Sequence, residues 1–291
     1  TNGGSESIIK KDTLLFMHGL LGSSQNYVSL INNYHPELLK GEREAFLMDC
    51  RNHGRSLHTK SMTYDDLADD ILNLCEEQQL EKVNLVGHSM SGKAIMNMLL
   101  RETMNGNEKE LLKKFNKIVV VDISPVDYTQ DSRWVIQNHI KAMKGIDLSK
   151  LKTRNQAEII LKDLSNGNIS RDVRLFLLTN LMRKTLDDNS VKWEWRCNLD
   201  VIEEYLIQIG SFPFKVRDDP LGIYAQLAPI QYNYDNILFL RGENSMYVTD
   251  KYEEITKLFF PRAKFKTIKN ASHWVHADNP NDFAASLTGF I

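Results

Sequence analysis

The sequence predicts an α/β fold in which a mostly parallel sheet carries helices on both faces and a helical cap is inserted into the chain. Short apolar runs alternate with helical segments along most of the sequence. These runs are apolar throughout rather than at every second residue, which is typical of parallel strands that are buried on both faces. The alternation is interrupted between residues 127 and 224, where helical and loop patterns dominate. We therefore predict a core formed by residues 1–126 and 225–291, with a cap at 127–224.

Each core element has its own signal in the sequence. The predicted strands, in chain order, are 13–17, 45–48, 83–86, 118–121, 237–240 and 265–268. Thr63 is a favourable N-cap for a helix with an apolar stripe, because its hydroxyl can accept a hydrogen bond from the backbone of Asp66. A further helix is predicted over residues 90–100. Asn279 and Pro280 predict the start of the last helix, since proline in a first helical turn loses no hydrogen bond.

The predicted cap is rich in tryptophan. Trp134, Trp193 and Trp195 are three of the four tryptophans, and the last two belong to the short aromatic run VKWEWRCN. Ligands of open α/β folds bind at the carboxyl ends of the strands, so a cap inserted after a strand is placed to cover the binding crevice. A further helical layer without a gating role remains an alternative.

The composition excludes several classes of protein. The 291 residues include 36 basic and 38 acidic side chains, and the formal net charge of −2 gives no electrostatic signature for binding nucleic acid or an anionic membrane. No apolar run reaches the roughly 18 residues that a membrane-spanning helix needs. Cys50, Cys75 and Cys197 form no C-x-x-C pair, which predicts free thiols in a reducing compartment. Since the first strand begins soon after Thr1, we expect that a leader or opening strands were removed.

The stretch VNLVGHSMSGKAIM has two incompatible interpretations. Between Gly87 and Lys93 it matches most of a phosphate-binding P-loop, G-x-x-x-x-G-K, with Asp122 of the later run KIVVVD as the expected magnesium ligand. Around Ser89 it nearly matches G-x-S-x-G, the sharp strand-to-helix turn that presents a nucleophilic serine. A P-loop requires a serine or threonine hydroxyl after the lysine, and here that residue is Ala94. The serine interpretation is therefore favoured.

Two distant segments supply further parts of a serine-hydrolase site. The turn at Leu20 in FMHGLLGSS is where an α/β-hydrolase provides one backbone N–H of an oxyanion hole, and the residue after the nucleophile, Met90, provides the other. His273, in NASHWVHADNP, lies between the last strand and the closing helix. The chain order serine, acid, histidine is that of the α/β-hydrolase fold. We predict that Ser89 is the nucleophile and His273 its general base. A catalytically idle hydrolase fold that serves as a binding module is the alternative.

Two positions depart from the usual hydrolase pattern. Ser91 replaces the last glycine of G-x-S-x-G, and we expect the turn to tolerate it with slight strain because serine is small. The usual position of the triad acid, after the penultimate strand, is occupied by Ser245. Glu243 and Asp250 lie near it in sequence, but Asp122, at the end of the preceding strand, could reach the same histidine. We predict Asp122 as the acid that orients the histidine.

Three further features are predicted to be structural. His273 and His276 lack the glutamate of an H-E-x-x-H motif, so no zinc site is predicted. The acidic run DDLADD is predicted to be a solvated helix face near the positive end of its helix. The run DCRNHGRS is predicted to be a structural turn in which Asp49 and Arg51 are able to pair, rather than a part of the chemistry. No metal or bound cofactor is expected.

Eight segments combine these motifs: HGLLGS, DCRNHGRS, MTYDDLADDI, LVGHSMSGK, VVDISPV, WEWRCN, LRGENSMYV and SHWVHADNP. In this combination the chain resembles, over nearly its whole length, the abhydrolase domain-containing protein 11 family, which includes the yeast ethanol acetyltransferases. The resemblance implies a triad acid after the earlier strand, which by its motif is Asp122. It also implies mitochondrial residence after removal of a transit peptide.

The resemblance further implies serine-dependent acyl transfer through an acyl-enzyme, with acetyl-CoA as a co-substrate and ethanol as the acceptor. Esterase and thioesterase side activity is expected alongside it. The partners are then a small-molecule acyl donor and an alcohol or water. A carboxylesterase or thioesterase without significant alcohol transfer remains the alternative, because water and the alcohol compete for the same acyl-serine.

Overall fold

Two sheets are present in the computed structural model, which describes residues 12–40, 43–131, 134–215 and 230–291. The strands are β1 (Thr13–Met17), β2 (Glu44–Met48), β3 (Val83–His88), β4 (Phe115–Val121), β5 (Leu181–Thr185), β6 (Val191–Trp195), β7 (Ile237–Gly242) and β8 (Lys264–Ile268). Six of them form one sheet in the order β2-β1-β3-β4-β7-β8, in which every neighbouring pair is parallel. All six strands predicted for the core are thus confirmed.

The outer strands differ from the prediction that every strand is buried on both faces. β2 and β8 lie at the edges of the sheet, and most of their residues are partly or fully exposed. Every residue of β1 and β3, by contrast, is buried. The apolar pattern of a short strand does not specify its place in the sheet, and an edge position leaves one side of the strand without a neighbour.

Helices cover both faces of the larger sheet, as predicted. They are α1 (Val28–Leu38), α2 (Tyr64–Glu77), α3 (Met90–Met104), α4 (Glu108–Lys114), α5 (Ile136–Lys144), α6 (Arg154–Leu164), α7 (Arg171–Leu178), α8 (Leu199–Glu204), α9 (Leu206–Gly210), α10 (Asp250–Phe259), α11 (Val275–Asp278) and α12 (Pro280–Thr288). Successive side chains of a strand point to opposite faces. Leu14 and Phe16 therefore pack with α1 and α12, whereas Leu15 and Met17 pack with α2 and α3. None of the helices in the described ranges is long and apolar enough to cross a membrane.

Two helix starts follow the capping chemistry predicted from the sequence. Thr63 Oγ1 accepts a hydrogen bond from Asp66 N at 3.1 Å, and Asp66 Oδ2 accepts one from Thr63 N at 2.8 Å. This reciprocal pair is a capping box at the start of α2. Asn279 Oδ1 accepts from Asp282 N at 3.2 Å at the start of α12, whose first residue is Pro280. Both predicted helix starts are confirmed.

The chain between β4 and β7 contains α5 to α9 and a hairpin formed by β5 and β6. The segment predicted as helices and loops therefore also contains a pair of strands, and most of the aromatic run VKWEWRCN forms β6. In the antiparallel register Trp195 lies opposite Leu181, and Trp193 lies opposite Arg183. The run gains its strand partner from elsewhere in the cap, which its own pattern does not reveal. Residues 216–224 of the predicted cap lie outside the described residues, and its boundaries remain predictions.

Candidate active site

The predicted nucleophile lies at the turn between β3 and α3. β3 ends at His88, α3 begins at Met90, and Ser89 between them has φ 52° and ψ −113°. A positive φ is unfavourable for a residue with a side chain, so the surrounding structure must hold this conformation. Ser89 N donates to Val121 O at 2.9 Å, and Ser89 O accepts from Lys93 N at 3.0 Å. The backbone of Ser89 is thus fastened to β4 on one side and to α3 on the other.

Two glycines allow α3 to approach the sheet this closely. A Cβ atom at Gly87 would lie 2.9 Å from Ser91 O, and one at Gly92 would lie 3.0 Å from Gly87 O. Both neighbours are backbone atoms, which cannot move aside as a side chain can. Glycine at the two positions therefore lets α3 lie this close to β3.

Ser91 occupies the motif position where glycine is usual. Its Oγ donates to His18 O at 2.5 Å and lies 3.3 Å from Cys50 Sγ, so the side chain is buried and hydrogen-bonded. The positive φ of the turn is at Ser89 and not at Ser91. The slight strain expected at Ser91 is therefore absent from its backbone conformation, and its hydroxyl ties α3 to the loop after β1.

The structure brings Ser89, His273 and Asp122 into one hydrogen-bonded chain. His273 Nε2 lies 3.1 Å from Ser89 Oγ, and His273 Nδ1 lies 2.7 Å from Asp122 Oδ2. An ionised carboxylate only accepts hydrogen bonds, so this arrangement assigns the imidazole proton to Nδ1 and leaves Nε2 to accept from the serine hydroxyl. The geometry is that of a nucleophile, a base within reach of its proton, and a third group that orients the base.

Asp122 is fully buried and is held by two donors besides His273. Gly242 N donates to Asp122 Oδ1 at 2.9 Å, and the Ser245 hydroxyl donates to Asp122 Oδ2. Both carboxylate oxygens are therefore satisfied, as a buried polar group requires. Ser245 stands where most hydrolases carry the acid, and here it supports an acid from the neighbouring strand. The sequence places Ser245 at the usual position of the acid, but it does not predict the hydrogen bond from Ser245 to Asp122.

The two other carboxylates considered as the acid make different contacts. Glu243 forms an ion pair with Lys269 at 2.6 Å. Asp250 pairs with Arg241 at 2.8 Å, and its side chain is 93% exposed. Neither is hydrogen-bonded to the histidine in the part of the chain that the structure describes. Among the three candidates, the geometry favours Asp122.

The histidine is positioned by aromatic neighbours that sequence reasoning missed. The Tyr247 ring stacks on the His273 ring with a centroid distance of 4.1 Å and an interplanar angle of 29°. Tyr128 OH donates to Tyr247 O at 2.5 Å, which fixes the backbone of that tyrosine. His88 Nε2 donates to His273 O at 2.8 Å. In the sequence these residues have the pattern of ordinary core aromatics, and only the fold places them around His273.

The turn after β1 lies beside the nucleophile, as the oxyanion prediction requires. Leu20 and Met90, whose N–H groups are the predicted donors, both line the cavity next to Ser89. Leu21 has φ 59°, and its N–H donates to His53 Nε2 at 3.0 Å, which fixes the conformation of the turn. Backbone donors that are held in place need no reorganisation when negative charge develops on a bound oxygen.

A cavity of about 220 Å³ opens beside Ser89, and its wall is mainly apolar. The core contributes Met90 and Ile123 to this wall, and the cap contributes Ile136, Val173, Phe176 and Leu177. A second cavity of about 310 Å³ adjoins it, and both are lined by Tyr128, Trp134, Tyr247, His273 and Trp274. Residues of the cap therefore cover the strand ends from which the nucleophile and the histidine approach.

Lys93 does not project into a phosphate site. Its side chain is buried, and Nζ donates to the carbonyl oxygens of Val126, Gly210 and Ser211 at 2.9, 2.8 and 2.7 Å. An ammonium group has three N–H donors, and all three are used within the protein. Together with the missing hydroxyl at Ala94, this arrangement rules against the P-loop interpretation.

His276, the second histidine of the H-x-x-H pattern, is a buried packing residue. Its ring lies 4.9 Å from the Tyr27 ring and 5.3 Å from the His88 ring, measured between centroids. Across the described ranges, no group of three or more histidine, cysteine or acidic residues is arranged to hold a metal ion.

The acidic run DDLADD is solvated in part, as predicted, since two of its aspartates are exposed, but its carboxylates also pair with two arginines. Arg51 binds Asp70 at 2.7 Å and Asp66 at 3.0 Å. Arg101 binds Asp69 at 2.7 Å. The run lies on α2, and its partners come from the loop after β2 and from α3. Pairs between such distant segments depend on tertiary packing, which the local charge pattern does not specify.

The predicted pair of Asp49 and Arg51 is wrong. Asp49 Oδ1 accepts from Ser24 N at 2.6 Å, and Asp49 Oδ2 accepts from Arg55 N at 2.9 Å. Gly54, with φ 57°, leaves room for this carboxylate, since a Cβ there would lie 2.1 Å from Asp49 Cγ. The turn is structural as predicted, but its aspartate organises backbone donors instead of pairing with an arginine.

The buried histidines predict a loss of stability in acid. Burial lowers the pKa of His53 to about 3 and that of His276 to about 4, from an ordinary value of 6.5. Both are neutral in the folded protein but take up a proton in the unfolded chain below about pH 6.5, so the free energy of unfolding falls as the pH drops from there toward about 4. Each contributes up to about 1.4 kcal/mol per pH unit. Urea midpoints measured at about pH 7, 6 and 5 should decline, and a constant midpoint would contradict the prediction.

Comparison with known proteins gives consistent matches. A family model described as the alpha/beta hydrolase fold matches residues 12–280. The Mus musculus sn-1-specific diacylglycerol lipase ABHD11 is 33% identical over 96% of this chain and 80% of its own length. A Saccharomyces cerevisiae protein named "Probable alcohol acetyltransferase" is 28% identical over 96% of this chain and 76% of its own length. The solved structure of a marine microorganism esterase is 35% identical, with a TM-score of 0.78 and coverage of 97% of this chain and 95% of that one.

Proposed function

The chain belongs to the α/β-hydrolase fold family as an enzyme of the serine-hydrolase type, and from that premise we propose that it forms an acyl-enzyme at Ser89 and passes the acyl group to water or to an alcohol. The mouse relative is named a lipase and the marine relative an esterase, which supports activity of the esterase and lipase kind. The observation that carries the proposal is the hydrogen-bonded chain of Ser89, His273 and Asp122 beside an apolar cavity. The finer form, acetyl transfer from acetyl-CoA to ethanol, is supported by the yeast relative named an alcohol acetyltransferase.

In the proposed mechanism, His273 Nε2 takes the proton of Ser89 as Oγ attacks the carbonyl carbon of the donor. The N–H groups of Leu20 and Met90 stabilise the oxyanion, and Asp122 stabilises the imidazolium. The leaving alcohol or thiol takes the proton from His273, which leaves an acyl-serine. In the second half the oxygen of water or an alcohol bonds to the acyl carbon and the bond to Oγ breaks. The proton of the new nucleophile then passes through His273 to Oγ.

The cavity beside Ser89 admits a small, neutral acyl group. Its volume is about 220 Å³, and the adjoining cavity of about 310 Å³ leaves room for acyl groups larger than acetyl as well. The described residues that line the two cavities include no arginine and one lysine, Lys93, whose donors already bind carbonyl oxygens. Charged acyl groups would therefore enter without a cation to pair with. An acetyl group satisfies both conditions, and in acetyl-CoA it would enter while the phosphates of the donor remain outside.

The balance between the two acceptors depends on how well the site excludes water. For an alcohol at about 50 mM to compete evenly with water at about 55 M, the site must favour the alcohol by about 10³, or about 4 kcal/mol of transition-state free energy. An apolar cavity roofed by Ile136, Val173 and Phe176 supports such a preference. We therefore propose that transfer and hydrolysis occur together.

A product assay tests the proposed function. The protein is incubated with ethanol and either acetyl-CoA or p-nitrophenyl acetate, and ethyl acetate and acetate are both quantified. We expect ethyl acetate from at least one donor, in proportion to ethanol, and none above background with a Ser89→Ala control. Acetate without ethyl acetate at any ethanol concentration would indicate a carboxylesterase or thioesterase without transfer. Neither product from either donor, combined with the absence of labelling by a fluorophosphonate probe, would indicate a non-catalytic binding module.

Mitochondrial residence, which the family resemblance implies, is a separate part of the proposal. We expect the protein in cells to co-fractionate with a mitochondrial marker and to resist protease added to intact mitochondria. Enrichment in the cytosolic fraction would contradict this part without affecting the chemistry.

A further inference from the structure

Lys93 brings a charge into the interior that the proposed chemistry does not use. It lies one turn after Ser89 on α3, is 1% exposed and lines the cavity. Lysine is rarely buried this completely unless its ammonium group is paired. The partners of this ammonium group are three backbone carbonyl oxygens, those of Val126, Gly210 and Ser211. Three acceptors match the three N–H donors of the charged form.

The three carbonyl groups belong to two separate segments. Val126 follows the proposed acid in the loop after β4, whereas Gly210 and Ser211 lie at the C-terminal end of the cap helix α9. Lys93 therefore joins the helix of the nucleophile, the loop of the acid and the end of the cap. Burial lowers the pKa of Lys93 well below its ordinary value, and the charge of Asp127 opposes this shift.

Two tyrosines donate hydrogen bonds to the same end of α9. Tyr64 OH donates to Ile209 O at 2.6 Å, and Tyr128 N donates to Gly210 O at 3.0 Å. Lys93 Nζ also lies 4.6 Å from the centroid of the Tyr128 ring, which is within the range of a cation–π interaction. Lys93 thus contacts both the end of the cap and one of the tyrosines that secure it.

Tyr128 extends this chain of contacts to the proposed general base. Its hydroxyl donates to Tyr247 O at 2.5 Å, and the Tyr247 ring stacks on His273. Both tyrosines line both cavities. A movement of α9 away from Lys93 would loosen this shared wall and open the site beside Ser89 to bulk water.

We propose that Lys93 is a positioning residue that keeps the cap closed over the acyl-enzyme and thereby favours an alcohol over water as the second nucleophile. The inference rests on the proposed acyl-enzyme chemistry. Without the ammonium group, three carbonyl oxygens lose a donor and α9 loses a direct link to α3. The choice between water and alcohol is made after the acyl-enzyme has formed. The product ratio therefore reports on closure of the cap and not on the amount of active enzyme.

The test replaces Lys93 by methionine, which keeps the length of the side chain and removes the donors. Wild type and Lys93→Met receive the same p-nitrophenyl acetate and the same ethanol concentration, and the ratio of ethyl acetate to acetate is measured within each reaction. We expect the ratio to fall about tenfold in Lys93→Met, as bulk water enters. Lys144→Met is the matched control, because Lys144 lies in the same cap but pairs on the surface with Asp200 and Glu203. We expect its ratio to equal that of the wild type, and an equal fall in both variants would overturn the inference.

An unchanged ratio in folded Lys93→Met would also overturn it. If Lys93→Met does not fold, Tyr64→Phe decides, since it removes only the hydrogen bond to Ile209 O at the same end of α9. We expect a smaller fall in the ratio for Tyr64→Phe, and an unchanged ratio would again overturn the inference.

Failure of the proposed transfer activity is distinguished by hydrogen exchange. If the wild type makes no ethyl acetate, the proposed transfer activity is wrong. The role of Lys93 in holding the cap can still be tested, because hydrogen exchange does not depend on transfer. We then expect the amides of α9 to exchange at least about tenfold faster in Lys93→Met, with those of β3 and β4 unchanged. Equal exchange in α9 of both proteins would overturn the positioning role itself.

Discussion

Replacing Ser89 by alanine is expected to lower kcat for p-nitrophenyl acetate by about 10⁶ and to abolish labelling by a fluorophosphonate probe. The alanine variant has no oxygen to attack the donor, and no acyl-enzyme can form. The fold should be retained, because Ser89 makes its contacts to β4 and α3 through its backbone. Alanine keeps the Cβ atom, so the strain of a positive φ at this position is nearly unchanged. We therefore expect an unfolding midpoint close to that of the wild type. Steady-state kinetics, probe labelling and urea unfolding on the same preparation check the three parts.

The neighbouring serine provides the control for this prediction. Ser91→Gly restores the usual motif and should remain labelled by the probe, because the Ser91 hydroxyl donates to His18 O and does not contact His273. Labelling that survives in Ser89→Ala and disappears in Ser91→Gly would show that Ser91, and not Ser89, is the nucleophile. Turnover retained in Ser89→Ala would exclude Ser89 as the nucleophile.

Replacing Asp122 by asparagine is expected to lower kcat by about 10⁴ while the protein stays folded. The amide can donate a hydrogen bond to His273 Nδ1, which would favour the tautomer with its proton on Nε2 and leave Ser89 without a base. It also cannot stabilise the imidazolium. Asparagine keeps one oxygen to accept from Gly242 N, so the local backbone should be preserved.

Two carboxylates near the usual acid position provide matched controls. Glu243→Gln and Asp250→Asn remove the same charge from the same region, but their partners are Lys269 and Arg241 on the surface. We expect kcat within about twofold of the wild type for both, because exposed ion pairs contribute little. Measuring kcat for the three variants side by side decides the acid. Loss of turnover in either control with a normal Asp122→Asn would show that the proposed triad is wrong.

The positions of Ser89 and His273 in the candidate site could be predicted because each follows from a local pattern. Ser89 lies in a short motif between an apolar strand and a helix, and His273 follows the last strand. For the acid, the sequence excluded Ser245 on its chemistry but left Glu243 and Asp250 open. The family resemblance supplied the further reason to favour Asp122. Asp122 and His273 are 151 residues apart in sequence. Asp122 follows β4 and His273 follows β8, and both strands pair with β7 in the sheet. This strand order is not encoded in the pattern of any single strand.

Contacts that depend on tertiary packing were not predictable in the same way. Arg51 pairs with carboxylates of α2 rather than with its sequence neighbour Asp49. Lys93 matches the lysine of a P-loop in the sequence pattern. In the structure its ammonium group binds carbonyl oxygens of residues more than thirty positions away in the chain. The cap hairpin forms because β6 pairs in antiparallel register with β5, which lies in the same insertion. In each case the partner is fixed by how distant segments pack, which a local pattern does not contain.

The proposed acyl-enzyme at Ser89 is tested most directly by locating the acyl group on the protein during turnover. The protein is mixed with excess p-nitrophenyl acetate, quenched with acid within the first turnovers, digested, and analysed by mass spectrometry. An activated donor should make release of the acyl group the slow step, so the acyl-enzyme should accumulate. We predict one acetyl group on the peptide that contains Ser89, located on that serine and lost faster when ethanol is added. Acetylation confined to any other residue would contradict an acyl-enzyme at Ser89. Product formed while Ser89 carries no acetyl group at any quench time would contradict it as well.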